Sequence, residues 1–334
     1  MTFSLDVLDH PVVQAPMAAG PSTPALAAAV SGAGGLGFVA AGYRTPDQLR
    51  TDMAATRAST ARPFGVNIFV LGGVPADAAA VARYAELLAP MARSAGVELG
   101  VPRSDDDHYA AKLAVVVEER PAVVSFAFGC PAPAAVDRLH AAGIAVWVTV
   151  TDASEAAAAA AAGADALVAQ GSEAGAHRGS FTDGDDEPIP LADLVPAVLA
   201  TGLPVVAAGG LMDGADIAAV RAAGAGAAQL GTAFLLCPEA GTAPVHRAAI
   251  AAPAVTTITR AFTGRRARGI VNAWTEAVGD AAPSAYPEVH YLTAPLRAHG
   301  RAVGHPDLVN LWAGTRHHLA REIPAAELVA ELAR

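Results

Sequence analysis

The chain has 334 residues, 53% of them hydrophobic and 16% charged, with a formal net charge of −10. That much apolar sequence supports a large buried core and excludes a disordered chain, and an acidic balance with a pI near 5.4 argues against a nucleic-acid partner. The mean hydropathy of +0.37 reflects alanine more than membrane character, since no uninterrupted apolar run reaches the roughly 18 residues of a spanning helix.

The opening MTFSLDVLDH is acidic and lacks a basic segment ahead of an apolar one, so no secretory signal is read and a cytoplasmic location is expected. Short apolar runs then alternate with alanine-rich helical stretches, the pattern of repeated βα units. The predicted strands are 12–15, 37–40, 65–69, 123–127, 146–150, 166–169, 205–208 and 227–230. They read as continuous apolar runs, as strands covered on both faces do. Eight of them point to an α/β fold, a TIM (β/α)8 barrel, over an open dinucleotide-binding sheet; GAGGLG at 32–37 precedes a strand instead of following one.

Helix starts are legible between the strands. Asp152 ahead of ASEAAAAAAAGAD offers a cap, a run of the best helix former and Gly163 as the stop, and Asp213 opens GADIAAVRAAGAG in the same way. A barrel takes about 250 residues, so a surplus remains. It falls in 72–120 and 238–300, expected to form a smaller helical cap over a barrel built from 1–71, 121–237 and 301–334.

Cys130 and Cys237 lie far apart without metal-ligand spacing. They read as small core residues of a reducing compartment, and no metal site is expected. Lys112, the only lysine, sits in AAKLAVVVEE and reads as a helix flank, which leaves Schiff-base chemistry without a promising residue. The basic cluster Arg260, Arg265, Arg266 and Arg268 is expected at the surface or a subunit contact in preference to a phosphate clamp.

Barrel sites form at the C-terminal ends of the strands. There the sequence places Met17, Asn67, Gln170, Gly209 and Gly210, and Gly231 with Thr232. Glycines after the last two strands let main-chain N–H groups approach an anion, which suits a phosphate. Asn67 and Gln170 can donate and accept together, as a heterocycle with alternating N and C=O groups requires. A phosphate and such a ring on one rim make FMN the economical cofactor. In AQGSEAGAHRGSF, residues 169–181, glycines surround His177, the natural proton-transfer candidate. Glu173 reads as a loop-ordering or structural residue, and Arg178 as a solvated or loop-packing charge.

The segments QAPM, SGAGGLGFVAAGY, PFGVNIF, VVSFAFG, QGSEAGAHRG, PVVAAGG, AQLGTAFLLCPEA, TRAFTGRRARGIVN and LWAG together resemble the nitronate monooxygenases, formerly 2-nitropropane dioxygenases, in their class I branch. The resemblance spans almost the whole chain. It implies a barrel binding FMN without a covalent bond, a smaller domain closing the substrate pocket, and a catalytic His177. Flavin contacts would fall on Met17, Asn67, Gln170, Gly175, Gly209, Gly210, Gln229, Leu230, Gly231 and Thr232. It further implies oxidation of alkyl nitronates such as propionate 3-nitronate by O2 to a carbonyl compound and nitrite, through a flavin semiquinone, as in nitroalkane detoxification. The partners would be a small-molecule substrate and O2, with no nucleic acid and no membrane; a homodimer is compatible with it. Two departures stand out: the family commonly has glycine where this chain has Ala176, and Gln-Gly where it has Thr315 and Arg316. The competing readings are an FMN-dependent NAD(P)H reductase of the enoyl-acyl-carrier-protein or quinone type, and a flavin-binding barrel without turnover.

Overall fold

A computed structural model describes residues 3–72 and 76–334. Gly73, Val74 and Pro75, which open the expected cap, lie outside the described residues. Among the described residues there are eleven strands: β1 (Val12–Gln14), β2 (Gly37–Ala40), β3 (Phe64–Phe69), β4 (Val123–Ala127), β5 (Ala145–Val150), β6 (Ala166–Gln170), β7 (Ala176–His177), β8 (Val205–Ala208), β9 (Ala227–Leu230), β10 (Thr256–Thr259) and β11 (Ala267–Ile270). Eight of them make one parallel sheet in the order β1-β9-β8-β6-β5-β4-β3-β2. Leu36 closes it: its N–H donates to Val12 O and its carbonyl accepts from Gln14 N–H, both at 2.9 Å. The predicted (β/α)8 barrel is therefore present, its strand ends within one residue of the sequence reading.

Period-two alternation builds two concentric cores. Val13, Phe38, Ala145, Trp147, Val168 and Val206 point inward, while Val12, Val146, Val148, Leu167 and Val205 face the surrounding helices. Trp147 fills the interior beside Phe38, their rings 5.8 Å apart, and small residues elsewhere leave it room. Gly65 is part of that fit, because a Cβ there would lie 2.3 Å from the Phe38 ring. The expected caps form: Asp152 accepts from Ser154 and Glu155 N–H, and Asp213 with Asp216 makes a capping box. No described helix is long and apolar enough to cross a membrane.

A second core lies above the barrel, where helices Ala78–Ala95 and Glu288–Val303 enclose Tyr84, Phe262, Trp274, Val289 and Leu292. Helix Tyr109–Glu119, within the segment expected in the cap, packs on the barrel instead: its apolar Leu113, Val115 and Val116 join the outer barrel core. Lys112 corrects another expectation. It is fully buried, with its Nζ 2.6 Å from Asp107, and Asp107 in turn accepts from Tyr43 N–H at 3.0 Å. Cys237 is buried in the core, and Cys130 is half-buried against it.

Candidate active site

At the C-terminal ends of the barrel strands lies a cavity of about 290 Å³. It brings together the histidine and all the residues expected to contact a flavin: Met17 beyond β1, Asn67 in β3, Gln170 at the end of β6, Gly175 and His177, Gly209 and Gly210 beyond β8, and Gln229, Leu230, Gly231 and Thr232 at the end of β9.

The stretch 170–179 is a braced strap. The Gln170 side chain spans it, donating to His177 O (3.1 Å) and accepting from Gly179 N–H (2.8 Å), so this amide orders the histidine strand. Glu173 accepts from Leu191 N–H at 3.1 Å, at the start of helix Leu191–Leu199; its role is structural. Arg178 is buried and donates to the carbonyls of Gln170 and Gly171, so it is a loop-packing charge. Gly175 lets the strap lie against the chain near its end, since a Cβ would meet Ala313 C and Gly314 N at 2.6 Å. Ala176 has φ of 63°, a left-handed conformation that costs a non-glycine residue about 1–2 kcal/mol. This gives the family's usual glycine a physical reason. Thr315 and Arg316, the other departure, do not line the cavity; Arg316 turns outward to Asp216 at 2.6 Å.

The four arginines of the basic cluster are engaged within the chain, Arg265 buried and the other three half-buried. β11 pairs with β7, and its flanking guanidinium groups clamp the segment beyond the histidine. Arg260 pairs with Asp183 and Asp185, both at 2.7 Å, and Arg266 donates to Gly184 O and Asp186 O. Arg268 reaches Ser172 O at 2.9 Å, while Arg265 is buried with its guanidinium 4.4 Å from the Phe128 ring centroid. Carboxylates and carbonyls separated by some 80 residues satisfy these cations, which no local sequence pattern announces.

His177 stands among the rings of Phe128, Tyr286 and Trp312, at centroid distances of 5.7, 5.5 and 5.6 Å. Its Nε2 lies 2.8 Å from Thr263 Oγ1. With its one proton directed to Arg265 O at 3.3 Å, that hydroxyl can accept from His177 Nε2–H. The tautomer assigned in this way leaves Nδ1 with its lone pair and no partner among the described residues. Burial, with the charges of Arg265 and Arg297, lowers the His177 pKa to about 3. The ring is thus neutral at neutral pH, a free base in an aromatic box.

Two other walls complete the cavity. Gly209 and Gly210, with φ of 129° and 70°, turn the main chain along the rim. The N–H groups of Gly210, Gly231 and Thr232 donate to no protein acceptor among the described residues. Facing them are residues the sequence reading missed: Tyr43, Phe128, His290, Arg297, Arg301, Asn310 and Trp312. Tyr43 stacks on His290 with centroids 4.3 Å apart and receives the Tyr286 hydroxyl proton at 2.9 Å. Tyr43 and Phe128 were within quoted motifs, and their positive φ values of 64° and 74° mark the strain often held at working sites. Trp312 also lay within a quoted motif, LWAG, while His290 and Arg297 come from a region read only as surplus cap, and Arg301 and Asn310 from the segment read as closing the barrel. No Asp or Glu is among the described residues lining this cavity, in a chain with ten more acids than bases.

The sequence model of the family described as nitronate monooxygenase matches residues 2–334. Nitronate monooxygenase of Paraburkholderia phytofirmans is 44% identical over 98% of this chain and 92% of its own length. The enzyme of the same name from Pseudomonas aeruginosa is 43% identical over 97% and 95%. Among solved structures, nitroalkane oxidase from Streptomyces ansochromogenes superposes with a TM-score of 0.96 and 48% identity, covering 99% of this chain and 97% of that one. FabK from Thermotoga maritima has the same fold with a TM-score of 0.77 at 28% identity, covering 98% and 93%. A barrel with this histidine strap, matched from end to end, belongs to the nitronate monooxygenase family of oxidoreductases.

Proposed function

We propose that the protein binds FMN along the barrel rim and uses O2 to oxidise alkyl nitronates, giving a carbonyl compound and nitrite. The observation that carries this reading is the juxtaposition of a neutral His177 with a free Nδ1 and a rim of unengaged main-chain donors in one acid-free cavity. The residues present fit the cofactor. Gly210, Gly231 and Thr232 offer N–H groups to a phosphate, Gln229 offers a free amide, and Asn67 keeps its Oδ1 while its Nδ2 donates to Ser125. Bound FMN supplies the redox chemistry that no side chain here can perform.

The chain's own part is to orient and to move one proton. Nδ1 of His177 takes the α-proton of a neutral nitroalkane, and the resulting imidazolium donates it back as a hydrogen bond to the nitronate oxygen. A nitronate that arrives as an anion meets an uncharged ring with its lone pair outward, so another group must hold it. The segments around the second core, with helices Ala78–Ala95 and Glu288–Val303, form the unit that closes the pocket and keeps water from the reacting atoms.

The test is oxygen uptake by the purified yellow protein on addition of a nitronate without any nicotinamide. Uptake with nitrite release is the expected result. An inert protein whose flavin is bleached by NAD(P)H in the absence of oxygen would replace this reading with the reductase. Against the reductase stands the arginine cluster, whose guanidinium groups are engaged internally and offer little to a nicotinamide phosphate.

A further inference from the structure

We infer that Asp107, with Lys112 as its buried counterion, is a positioning residue for the histidine site. It fixes the main chain of Tyr43 and, through that side chain, the aromatic box around His177. Neither Asp107 nor Lys112 lines the cavity. The inference rests on the reading of His177 as a base given above and adds the groups that act on that base from outside.

The need for a brace begins in the turn after β2. Arg44 N–H donates to Ala41 O at 3.1 Å, closing a turn in which Tyr43 holds the third position with φ of 64°. Positive φ at that position calls for glycine or asparagine, and a bulky residue there is strained. Glycine would serve the turn; tyrosine serves what its side chain touches. Its ring stacks on His290 and meets Phe69 edge-on at 5.7 Å, and its hydroxyl accepts from the Tyr286 hydroxyl at 2.9 Å. Tyr286 in turn flanks His177 at 5.5 Å.

Asp107 holds this strained turn. Its Oδ1 accepts from Tyr43 N–H at 3.0 Å, and its Oδ2 lies 2.6 Å from Lys112 Nζ. Asp107 and His108 are themselves left-handed, with φ of 54° and 56°, a conformation that Asp and His adopt more readily than tyrosine does. The loop is tied on its far side as well: Asp105 accepts from Asp107 N–H at 3.0 Å and from the Tyr291 hydroxyl. The Asp107 carboxylate thus joins helix Tyr109–Glu119 on the barrel to the turn that carries Tyr43.

Stability alone does not explain the pair. Lys112 is fully buried and Asp107 is 7% exposed. Apart from each other, Lys112 Nζ and Asp107 Oδ2 have no hydrogen-bond partner among the described residues. An ion pair so placed loses by desolvation much of what it gains by attraction, and apolar residues of similar size often serve stability as well. What an apolar pair cannot supply is an acceptor for Tyr43 N–H. Without it the strained turn is free to relax, the Tyr286 hydroxyl loses its partner, and water reaches the His177 ring.

The experiment compares two flavin-loaded double variants that both remove the ion pair. Lys112→Met with Asp107→Asn keeps an oxygen for Tyr43 N–H; Lys112→Met with Asp107→Gly does not. Asparagine and glycine both tolerate a left-handed backbone, so the two variants differ chiefly in that oxygen. NMR of ring-labelled histidine, assigned with His177→Asn, follows the His177 ring from pH 8 to pH 5. The groups facing the ring, Arg265, Arg297 and Asp183 with Tyr286 and His290, are the same in both, so a difference reports packing and water. The first double variant should keep the neutral ring of the wild type and its nitroalkane turnover. In the second, the ring should begin to protonate above pH 5, toward its ordinary value of about 6.5. Its kcat on nitroalkanes should fall about 10- to 100-fold, with KM and flavin content held and nitronates less affected. Equal titrations in the two, or nitroalkane rates that do not follow them, overturn the brace. Should either variant fail to fold, Tyr43→Phe decides: it removes the hydroxyl that Tyr286 uses and should raise the His177 titration in the same way, and an unmoved titration overturns the inference. Where neither substrate is oxidised the titration alone decides, and an inert wild type with a neutral ring counts against the nitronate reading only.

Discussion

On the barrel side the cavity is walled largely by main chain, at Gly209, Gly210, Gly231 and Thr232. On the side facing helix Glu288–Val303 it is walled by side chains, among them Tyr43, His290, Arg297 and Trp312. The first wall resists substitution at Gly209 and Gly210, where φ is positive, but says little about which molecule is bound. The second can change its chemistry residue by residue while the barrel beneath stays the same. On the proposed reading, cofactor retention and substrate choice fall to opposite walls, with His177 on the strap between them.

The sharpest way to break this division is at His177. In His177→Asn, nitroalkane turnover should fall about 10²- to 10⁴-fold, the usual contribution of a positioned base, with a smaller loss on nitronates and flavin retained. Steady-state rates on both substrates check this; equal losses would mean that the ring does not act as a base.

Acid should act next most strongly, and on the side-chain wall. The neutral His177, His246 and His290 have pKa values of about 3, 4 and 2, against about 6.5 in an unfolded chain. Between these limits the unfolded state binds more protons. The stabilisation is thus complete above pH 6.5 and is lost as pH falls, at about 1.4 kcal/mol per pH unit for each histidine until its folded pKa is reached. Thermal unfolding at pH 7 and pH 5 should show a lower Tm at pH 5, and His246→Asn should reduce the difference. The rate on nitroalkanes should meanwhile show no inflection near 6.5 from His177; one would mean that the ring is not buried as described.

The main-chain wall is tested by Gly210→Ala. A positive φ of 70° and a Cβ 2.9 Å from Glu173 Cβ should cost about 1–2 kcal/mol and lower the flavin content of the purified protein. An unchanged Tm with full flavin would show that the rim is not tightly constrained. The smallest effect is expected at Ala176→Gly. Relief of the left-handed strain is partly offset by the greater freedom of glycine in the unfolded chain, leaving a gain of about 0.5 kcal/mol or less, read as a slightly higher Tm. A loss of stability would show that the methyl group is packed to advantage.

The eight barrel strands and the rim were legible because their causes are local. Continuous apolar runs are what strands buried on both faces require, and glycine is what a rim with positive φ requires. The strap histidine was legible for the same reason, since glycines flank it in one short stretch. The internal engagement of the arginine cluster was not legible because its partners, Asp183 and Asp185, lie far away in the chain. A cation's environment is set by what the fold carries to it, and charge density along a sequence cannot reveal it.

Lys112 shows the same limit from within a helix. AAKLAVVVEE determined a helix, but only tertiary packing decided that its lysine would be buried against Asp107. The sequence by itself determined the barrel, the position of the rim and the histidine, because each follows from periodicity, glycine and strand ends. The tertiary structure decided the protonation state of that histidine, the internal use of the arginines and the charge of the facing wall. Those depend on burial and on distances between groups far apart in the chain, quantities that exist only once it has folded.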